Sequence, residues 1–394
     1  MSRLRLLFVL TVILTSCHVR QELAAEAPPA DGIEQRLGEM TLRDKVGQLF
    51  IIRPEDCDYN PDDHGKRRKW GRSKQAVTPR MEENDARYPA GGFVIFERNI
   101  KNKAQLKCLM AGLSRFRGAP LFYVDEEGGG VSRLSSNRSL ALTRTKSMTR
   151  IGASGDTLQA FLAGQSIGKN LKELGFHVNF APVADVWSCR ENQVLKNRCF
   201  GSDPAVVASM VVQFIKGSSE AGVACCAKHF PGHGATRKDT HKGYAGVEKD
   251  WEVIDTLDII PFAAAIRQGV PLVMVAHINY PQISGDAFPA SLSPSIVQGK
   301  LREELGFEGV IVTDAMNMGA ITSRYSPGEA AVLAIQAGCD LILNPDDYFI
   351  AFDAVLDAVE QGVIPENRID ASVRRILRLK SISAGCYTAG GPCP

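Results

Sequence analysis

Eight short apolar runs are spaced along the chain, each separated from the next by polar or amphipathic sequence. The runs are VGQLFII (46–52), GGFVIFE (91–97), PLFYVDEE (120–127), FHVNFAPVADV (176–186), GVACCAKHF (222–230), PLVMVAH (271–277), GVIVTDA (309–315) and DLILN (340–344). Between them, segments such as 157–175 and 295–306 carry apolar residues at three- and four-residue spacing and end in glycine, as amphipathic helices do. Continuous apolar strands that alternate with helices predict a parallel sheet covered on both faces.

Polar residues collect at the C-terminal ends of these runs. They are Asp125, Asp185, Lys228, His229, His277, Asp314 and Asn344. In a (β/α)₈ barrel the C-terminal ends of all strands surround one pocket, whereas a doubly wound open sheet predicts clustering at a single switch point. The dispersed distribution favours an α/β fold with a single TIM-type (β/α)₈ barrel, in which we allow for irregular first strands.

The N-terminus has the features of an export signal. Two arginines precede an apolar stretch of about a dozen residues, which is too short to span a membrane and suits a signal-peptide core. It ends in Leu14-Thr15-Ser16-Cys17, which resembles the bacterial lipobox, where the Cys is lipidated and becomes the mature N-terminus. We expect an exported lipoprotein that the lipid alone anchors to a membrane. The alternatives are an ordinary signal peptide and a cytoplasmic protein with an apolar start.

The composition indicates a folded protein that does not bind nucleic acid. The 394 residues are 44% hydrophobic and 23% charged, which suits a large folded core. A net charge of +2, with the dense basic run confined to 65–72, argues against nucleic-acid binding. The predicted divisions are a signal peptide (1–17), a tether (18–35), a barrel domain (36–382) with a polar insertion (53–90), and a tail (383–394).

Cysteine and histidine spacing indicates no zinc site, and we expect no metal or organic cofactor. Export would permit disulfides among the cysteines in loop-like sequence, whose connectivity the sequence does not reveal. These are Cys57, Cys189, Cys199, Cys386 and Cys393.

Candidate chemistry lies at two strand ends and on the loop that follows the fifth run. Asp314 follows five apolar or β-branched residues and is a candidate nucleophile or salt-bridge partner. Lys228 and His229 end the fifth apolar run and are expected at the pocket mouth. Asp239 and His241 are two residues apart, so an extended segment places both side chains on one side. Because a neighbouring carboxylate raises the pKa of an imidazole and fixes its tautomer, this pair suits a general acid/base.

Five ordered segments resemble the β-N-acetylglucosaminidases of glycoside hydrolase family 3. KHFPGHGATRKDTH (228–241) is similar to the family pattern KH(F/I)PG(H/D)G-x₄-D-(S/T)-H, with its spacing kept. The other segments are VDEEGGGVSRL, NFAPVADV, NRCFGSDP and GVIVTDAMNMGAI. The resemblance runs from about residue 36 to 380 and implies a barrel that hydrolyses β-linked N-acetylglucosamine.

The resemblance also implies residue roles. Asp314 corresponds to the nucleophile, and His241 to the acid/base, oriented by Asp239 in place of the second carboxylate that most retaining glycosidases use. The residues that correspond to binders of the sugar in the minus-one subsite are Asp125, Arg133, Arg198, Lys228 and His229.

The function expected from the sequence is therefore a monomeric retaining exo-β-N-acetylglucosaminidase. The resemblance makes peptidoglycan-derived GlcNAc–MurNAc fragments the first substrate to test and chitooligosaccharides the second. The alternatives are a phosphorylase or another β-glycosidase on the same scaffold, and a non-catalytic surface lipoprotein that binds wall fragments.

Overall fold

The computed structural model of the chain describes residues 30–62, 73–236, 243 and 245–383. Three of the predicted catalytic and lipidation residues lie outside this part, namely Cys17, Asp239 and His241. The same holds for residues 63–72 of the predicted insertion and for the tail from residue 384 onward.

Each of the eight apolar runs contributes one strand to a parallel sheet. In chain order the strands of the described part are β1 (Phe50–Ile52), β2 (Gly92–Val94), β3 (Leu121–Val124), β4 (Glu126–Gly128), β5 (Val131–Ser132), β6 (Val178–Asn179), β7 (Ala224–Phe230), β8 (Leu272–Val275), β9 (Val310–Thr313) and β10 (Ile342–Leu343). Strands β4 and β5 form a separate antiparallel hairpin directly after β3. The other eight strands form the wall of the barrel.

The sheet closes on itself. Its strand order is β10-β1-β2-β3-β6-β7-β8-β9, with parallel pairing throughout. A parallel bridge between Val312 and Leu341 joins the two ends, and the Thr313 N–H donates to the Leu341 carbonyl (3.0 Å). Sequential order and closure confirm the predicted (β/α)₈ barrel and exclude the doubly wound alternative.

Helices surround the barrel. Those of the described part are α1 (Ala30–Glu39), α2 (Leu42–Gln48), α3 (Pro79–Arg87), α4 (Lys103–Leu113), α5 (Met148–Ala153), α6 (Thr157–Leu174), α7 (Pro204–Glu220), α8 (Trp251–Asp255), α9 (Ile260–Arg267), α10 (Pro281–Ser284), α11 (Gly319–Thr322), α12 (Pro327–Ala337), α13 (Tyr348–Glu360) and α14 (Glu366–Ser383). Helix α6 is capped at its start by Asp156 and ends at Gly175, whose φ of 90° suits glycine. The amphipathic segment 295–306 forms a π-helix over Ser295–Glu304.

Strand side chains alternate between two apolar layers. Ile51, Val94, Tyr123 and Met274 belong to the smaller core cluster inside the barrel, while their strand neighbours belong to the larger one shared with the helices. Ile376 and other apolar side chains of α14 complete the inner cluster. Among the described residues, none of the helices has the length and apolar character needed to cross a membrane.

A buried charge cluster lies at the N-terminal end of the barrel. The Asp340 carboxylate, fully buried, accepts hydrogen bonds from Arg302 Nη2 (2.8 Å), Arg375 Nη1 (2.9 Å), Ser372 Oγ (2.6 Å) and the Ile311 N–H (3.0 Å). These partners lie on the π-helix, on α14 and on β9. Asp340 therefore joins two outer helices to the barrel wall.

The described ends of the predicted insertion pack against the barrel. Residues Pro54–Cys57 form a 3₁₀ turn, and α3 follows at the other end. Asn84 Nδ2 of α3 donates to the carbonyls of Cys57 and Tyr59 (2.9 Å each), and the Tyr59 ring lies 4.6 Å from that of Phe349. Of the cysteines considered for disulfides, Cys57, Cys189 and Cys199 are free, and Cys386 and Cys393 lie outside the described residues.

Candidate active site

A cavity of about 820 Å³ opens at the C-terminal ends of the barrel strands. Its wall contains the predicted nucleophile and all five predicted sugar-binding residues, namely Asp314, Asp125, Arg133, Arg198, Lys228 and His229. These residues come from four different strand ends and from the loop before α7. The barrel thus brings together every predicted site residue that the structure describes.

A network of four charged side chains forms one wall of the cavity. Glu127, 1% exposed, accepts two hydrogen bonds from Arg198, from Nε to Oε2 and from Nη2 to Oε1 (2.8 Å each). Lys228 Nζ lies 2.6 Å from Glu127 Oε1 and 2.8 Å from Asp125 Oδ1. Two cations and two anions therefore balance one another, and the carboxylates hold both cations in place.

The pKa values in this network follow from its pairing. Burial raises the pKa of Glu127, but the charges of Arg198 and Lys228 outweigh it and hold that pKa well below its usual range. Burial lowers the pKa of Lys228, and Asp125 and Glu127 more than compensate, so that pKa is raised. Both groups are charged at neutral pH, as binding of sugar hydroxyl and carbonyl groups requires.

Asp185 binds both ends of the turn that follows Lys228. Its carboxylate is fully buried and accepts hydrogen bonds from the His229 N–H (3.2 Å) and from the His233 N–H (2.6 Å). Its Oδ2 also lies 2.8 Å from His229 Nδ1. The ring is therefore fixed with Nδ1 toward Asp185, and Nε2 lies 3.5 Å from Arg198 Nη2. Asp185 thus positions His229 in the cavity wall.

Asp314 follows β9 directly, as predicted. Its N–H donates to the Val275 carbonyl of β8 (2.9 Å), and its Oδ1 accepts from the Ala315 N–H (2.7 Å). Burial raises the pKa of Asp314, but electrostatic interactions with His229 and His277, together with the Ala315 N–H hydrogen bond, outweigh burial and lower that pKa to about 2. Asp314 forms no ion pair with the described residues, so its ionised carboxylate is available to a ligand.

His277, the strand-end histidine of β8, supports the segment after Asp314. It is 2% exposed, and its Nε2 lies 3.1 Å from the Ala315 carbonyl while its Nδ1 lies 2.7 Å from Ser291 Oγ. Burial lowers the pKa of His277. Because a carbonyl oxygen can only accept, Nε2 of His277 carries a proton and donates it in this contact.

Arg133 and Phe96 also line the cavity. The Arg133 guanidinium lies 5.7 Å from the centre of the Phe96 ring, and that of Arg98 lies 5.6 Å from the same ring. Arg53, from the start of the predicted insertion, also lines the cavity. Glu55 of the insertion holds Arg98 through a contact of 2.7 Å. The insertion therefore helps to shape the cavity wall.

The base of the loop that carries Asp239 and His241 is described, although those two residues are not. Asn192 Nδ2 donates to the His233 carbonyl (3.0 Å) and to Thr236 Oγ1 (3.2 Å). Beyond the gap, the Ala245 carbonyl accepts from the N–H of Asn279, which follows β8 (2.9 Å). The predicted acid/base pair thus stays a prediction. The described residues on both flanks of its segment lie at the C-terminal end of the barrel.

Sequence reasoning missed the part played by Glu127. The signal was present, since Asp125 and Glu127 are two residues apart, the spacing that placed Asp239 and His241 on one side. Asp185 and Asn344 were noted as strand-end residues without a role. Both are buried beside or within the cavity wall.

Comparisons with known proteins agree with this geometry. The family model described as "Glycosyl hydrolase family 3 N terminal domain" matches residues 41–379. The chain is 34% identical to "Beta-hexosaminidase A" of Pseudoalteromonas piscicida over 331 residues, which are 77% of this chain and 55% of that protein. It is 36% identical to a "Beta-hexosaminidase" of Nitrosomonas eutropha over 264 residues, 65% of this chain and 74% of that protein.

A solved structure of similar fold is a glycoside hydrolase family 3 beta-N-acetylglucosaminidase from Paenibacillus sp. str. FPU-7. It superposes with a TM-score of 0.79 at 36% sequence identity and covers 90% of this chain and 64% of its own. The chain thus spans a little over half of the Pseudoalteromonas protein and just under two thirds of the Paenibacillus protein.

Proposed function

The chain belongs to the glycosyl hydrolase family 3 N-terminal domain family, and from that premise we propose that it is a retaining exo-β-N-acetylglucosaminidase. The observation that carries the proposal is that Asp314 and all five predicted sugar-binding residues line the same cavity. Relatives named beta-hexosaminidase and a structural neighbour named beta-N-acetylglucosaminidase support the choice of sugar.

The proposed reaction is a double displacement. Asp314 attacks the anomeric carbon as His241 protonates the departing glycosidic oxygen, which breaks the C–O bond and leaves a covalent glycosyl-enzyme. His241 then takes a proton from water as the water oxygen attacks the same carbon, which frees the sugar and restores the Asp314 carboxylate. The low pKa of Asp314 supports the first step, because an ionised carboxylate is the nucleophilic form.

The charged wall supports binding of the sugar. Asp125 can accept hydrogen bonds from two hydroxyls, while Arg198 and Lys228 can donate to hydroxyl or acetamido oxygens. Because Asp125 and Glu127 neutralise the charges of Lys228 and Arg198, binding a neutral sugar leaves no net charge in this network.

A second histidine pairs with a carboxylate in this cavity, and the test must separate the two. His229 with Asp185 has the arrangement of an acid/base dyad. Both residues belong to the part of the chain that the structure describes, whereas His241 and Asp239 do not. In the proposed mechanism His229 binds sugar. His241→Ala is therefore expected to slow substrates with poor leaving groups much more than p-nitrophenyl substrates, while His229→Ala slows both alike. The reverse pattern would move the acid role to His229.

The activity itself is tested with p-nitrophenyl β-N-acetylglucosaminide. Wild-type protein should release p-nitrophenol and Asp314→Ala should not. A fluorinated N-acetylglucosaminide should label Asp314, located by mass spectrometry. Product analysis with and without phosphate distinguishes hydrolysis, which yields free N-acetylglucosamine, from phosphorolysis, which yields the sugar 1-phosphate. Absence of turnover with a folded protein would favour a non-catalytic binding protein.

We also propose that the protein acts outside the cytoplasm on peptidoglycan fragments, anchored by lipid on Cys17. The N-terminal signal supports export, and so does Cys108, which is disulfide-bonded, since disulfides persist mainly in oxidising compartments. Cys17→Ser is expected to shift the protein from the membrane fraction to the soluble fraction. Retention of the variant in membranes would contradict lipid anchoring.

A further inference from the structure

Asn344 is a buried amide in the cavity wall whose side chain makes no hydrogen bond to the described residues. It is 3% exposed and contributes to the cavity. Its Oδ1 is buried and has no hydrogen-bond partner. Buried amide groups are nearly always paired, because losing water without gaining a partner is unfavourable. An unpaired amide beside an open cavity therefore suggests that a ligand supplies the partner.

The backbone of Asn344 holds the side chain in this place. Its φ of 52° lies in the left-handed region, which is uncommon for residues other than glycine and more accessible to Asn than to most. Its N–H donates to the Ile51 carbonyl of β1 (2.7 Å), and its carbonyl accepts from the Asn317 N–H (3.1 Å). Such conformations persist where the surrounding structure fixes them, and they concentrate at binding and catalytic sites.

Asn344 is tied to the segment of the proposed nucleophile. It follows β10, and Asp314 follows the neighbouring strand β9. Two hydrogen bonds join the segments after these strands, from Met316 N–H to the Leu343 carbonyl (2.9 Å) and from Asn317 N–H to the Asn344 carbonyl. Asp314 and Asn344 thus line the same cavity from adjacent segments, so a sugar held at Asp314 lies beside the wall to which Asn344 belongs.

We propose that Asn344 is a substrate-binding residue whose amide hydrogen-bonds an O–H or N–H group of the sugar held at Asp314. This inference rests on the proposed function and adds a specificity residue to it. Both candidate groups are hydrogen-bond donors of the sugar, namely a ring hydroxyl and the acetamido N–H. Substrates that differ in the acetamido group distinguish the two.

The test uses Asn344→Gly, which removes the amide and keeps the left-handed backbone free of strain. Ala141→Gly is the matched control, because Ala141 has the same φ of 52° and is exposed outside the cavity. We expect kcat/KM on p-nitrophenyl N-acetylglucosaminide to fall about tenfold to a hundredfold in Asn344→Gly and to stay unchanged in the control. The melting temperatures of the two variants should agree within about 2 °C.

Comparison with p-nitrophenyl β-glucoside identifies the sugar group. A loss confined to the N-acetyl substrate assigns the acetamido N–H, and equal losses assign a ring hydroxyl. Unchanged kcat/KM on both substrates in an active enzyme overturns the inference alone, as does a loss matched by a lower melting temperature than that of the control. A wild-type protein that neither turns over the substrate nor is stabilised by N-acetylglucosamine overturns the proposed function, and this inference with it.

Discussion

Replacing Glu127 with Gln should affect both stability and catalysis, and the structure sets the size of each effect. Glu127→Gln keeps the side-chain volume but leaves a cluster of two anions and two cations with one uncompensated positive charge. Arg198 loses its bidentate partner, while Lys228 keeps Asp125. Removing one partner of a buried ion pair costs about 3–5 kcal/mol. Since the entropy of unfolding scales with chain length, this corresponds to a melting temperature lower by about 4–7 °C.

Activity should fall further than stability alone explains. Arg198 and Lys228 are proposed to contact the sugar, and a Gln amide presents an N–H toward one of these donors. We expect kcat/KM on p-nitrophenyl N-acetylglucosaminide to fall by about a hundredfold or more at a temperature where the variant is folded, because two charged hydrogen bonds to substrate, each contributing about 1.5–3 kcal/mol, are misdirected. Steady-state kinetics and thermal denaturation measure the two effects.

The adjacent residue offers a matched control. Glu126 is also buried, but it does not line the cavity, and its carboxylate accepts from the backbone N–H groups of Leu134 (2.8 Å) and Ser135 (3.2 Å). Glu126→Gln should lower stability by about 1–2 kcal/mol and leave kcat/KM within about threefold of wild type. If the two variants lost equal activity, or if Glu127→Gln kept wild-type kcat/KM, Glu127 would not position the sugar-binding cations.

Three further outcomes are expected. Because the pKa of Asp314 is lowered to about 2, its carboxylate stays charged below pH 3.8, the ordinary value for Asp. The kcat/KM profile should therefore show no acid limb centred near about pH 3.9, and finding one would contradict the assignment. Asp185→Asn keeps an oxygen for the backbone N–H groups of His229 and His233 but removes the charge and places an amide N–H₂ opposite His229 Nδ1. It should lower kcat/KM by about a hundredfold, whereas a change in melting temperature alone would leave Asp185 a structural residue. Asp340→Asn should lower the free energy of unfolding by about 3–5 kcal/mol in thermal denaturation, because Asp340 pairs with two arginines. It should leave kcat/KM within about twofold, since these partners lie at the end of the barrel away from the cavity. A large loss of activity would refute the separation of the Asp340 cluster from the active site.

The barrel could be predicted because its strands are buried on both faces. Each apolar run in the sequence became one parallel strand, even β6 and β10, which are two residues long. The ends of those runs located Asp125, Lys228, His229 and Asp314, since a closed barrel brings all C-terminal strand ends to one cavity. The pattern of hydrophobicity was therefore sufficient to predict the barrel and these strand-end site residues.

Other parts of the site depend on features that hydrophobicity does not encode. Three consecutive acidic residues follow β3, and the hairpin of β4 and β5 decides that Glu127 faces the cations while Glu126 faces the backbone. The left-handed backbone of Asn344 arises from hydrogen bonds to two other segments, which no local pattern around residue 344 reveals. The π-helix over Ser295–Glu304 has the same apolar spacing as an α-helix, so the sequence could not distinguish them.

The arginine pairs around Asp340 suggest where this protein tolerates engineering. They fasten the outer helices at one end of the barrel, while the groups proposed to handle sugar lie at the other. Heat resistance and turnover should therefore respond to separate sets of substitutions. A more thermostable variant can be sought at the N-terminal end of the barrel without the loss of activity that often accompanies stabilisation near a catalytic cavity.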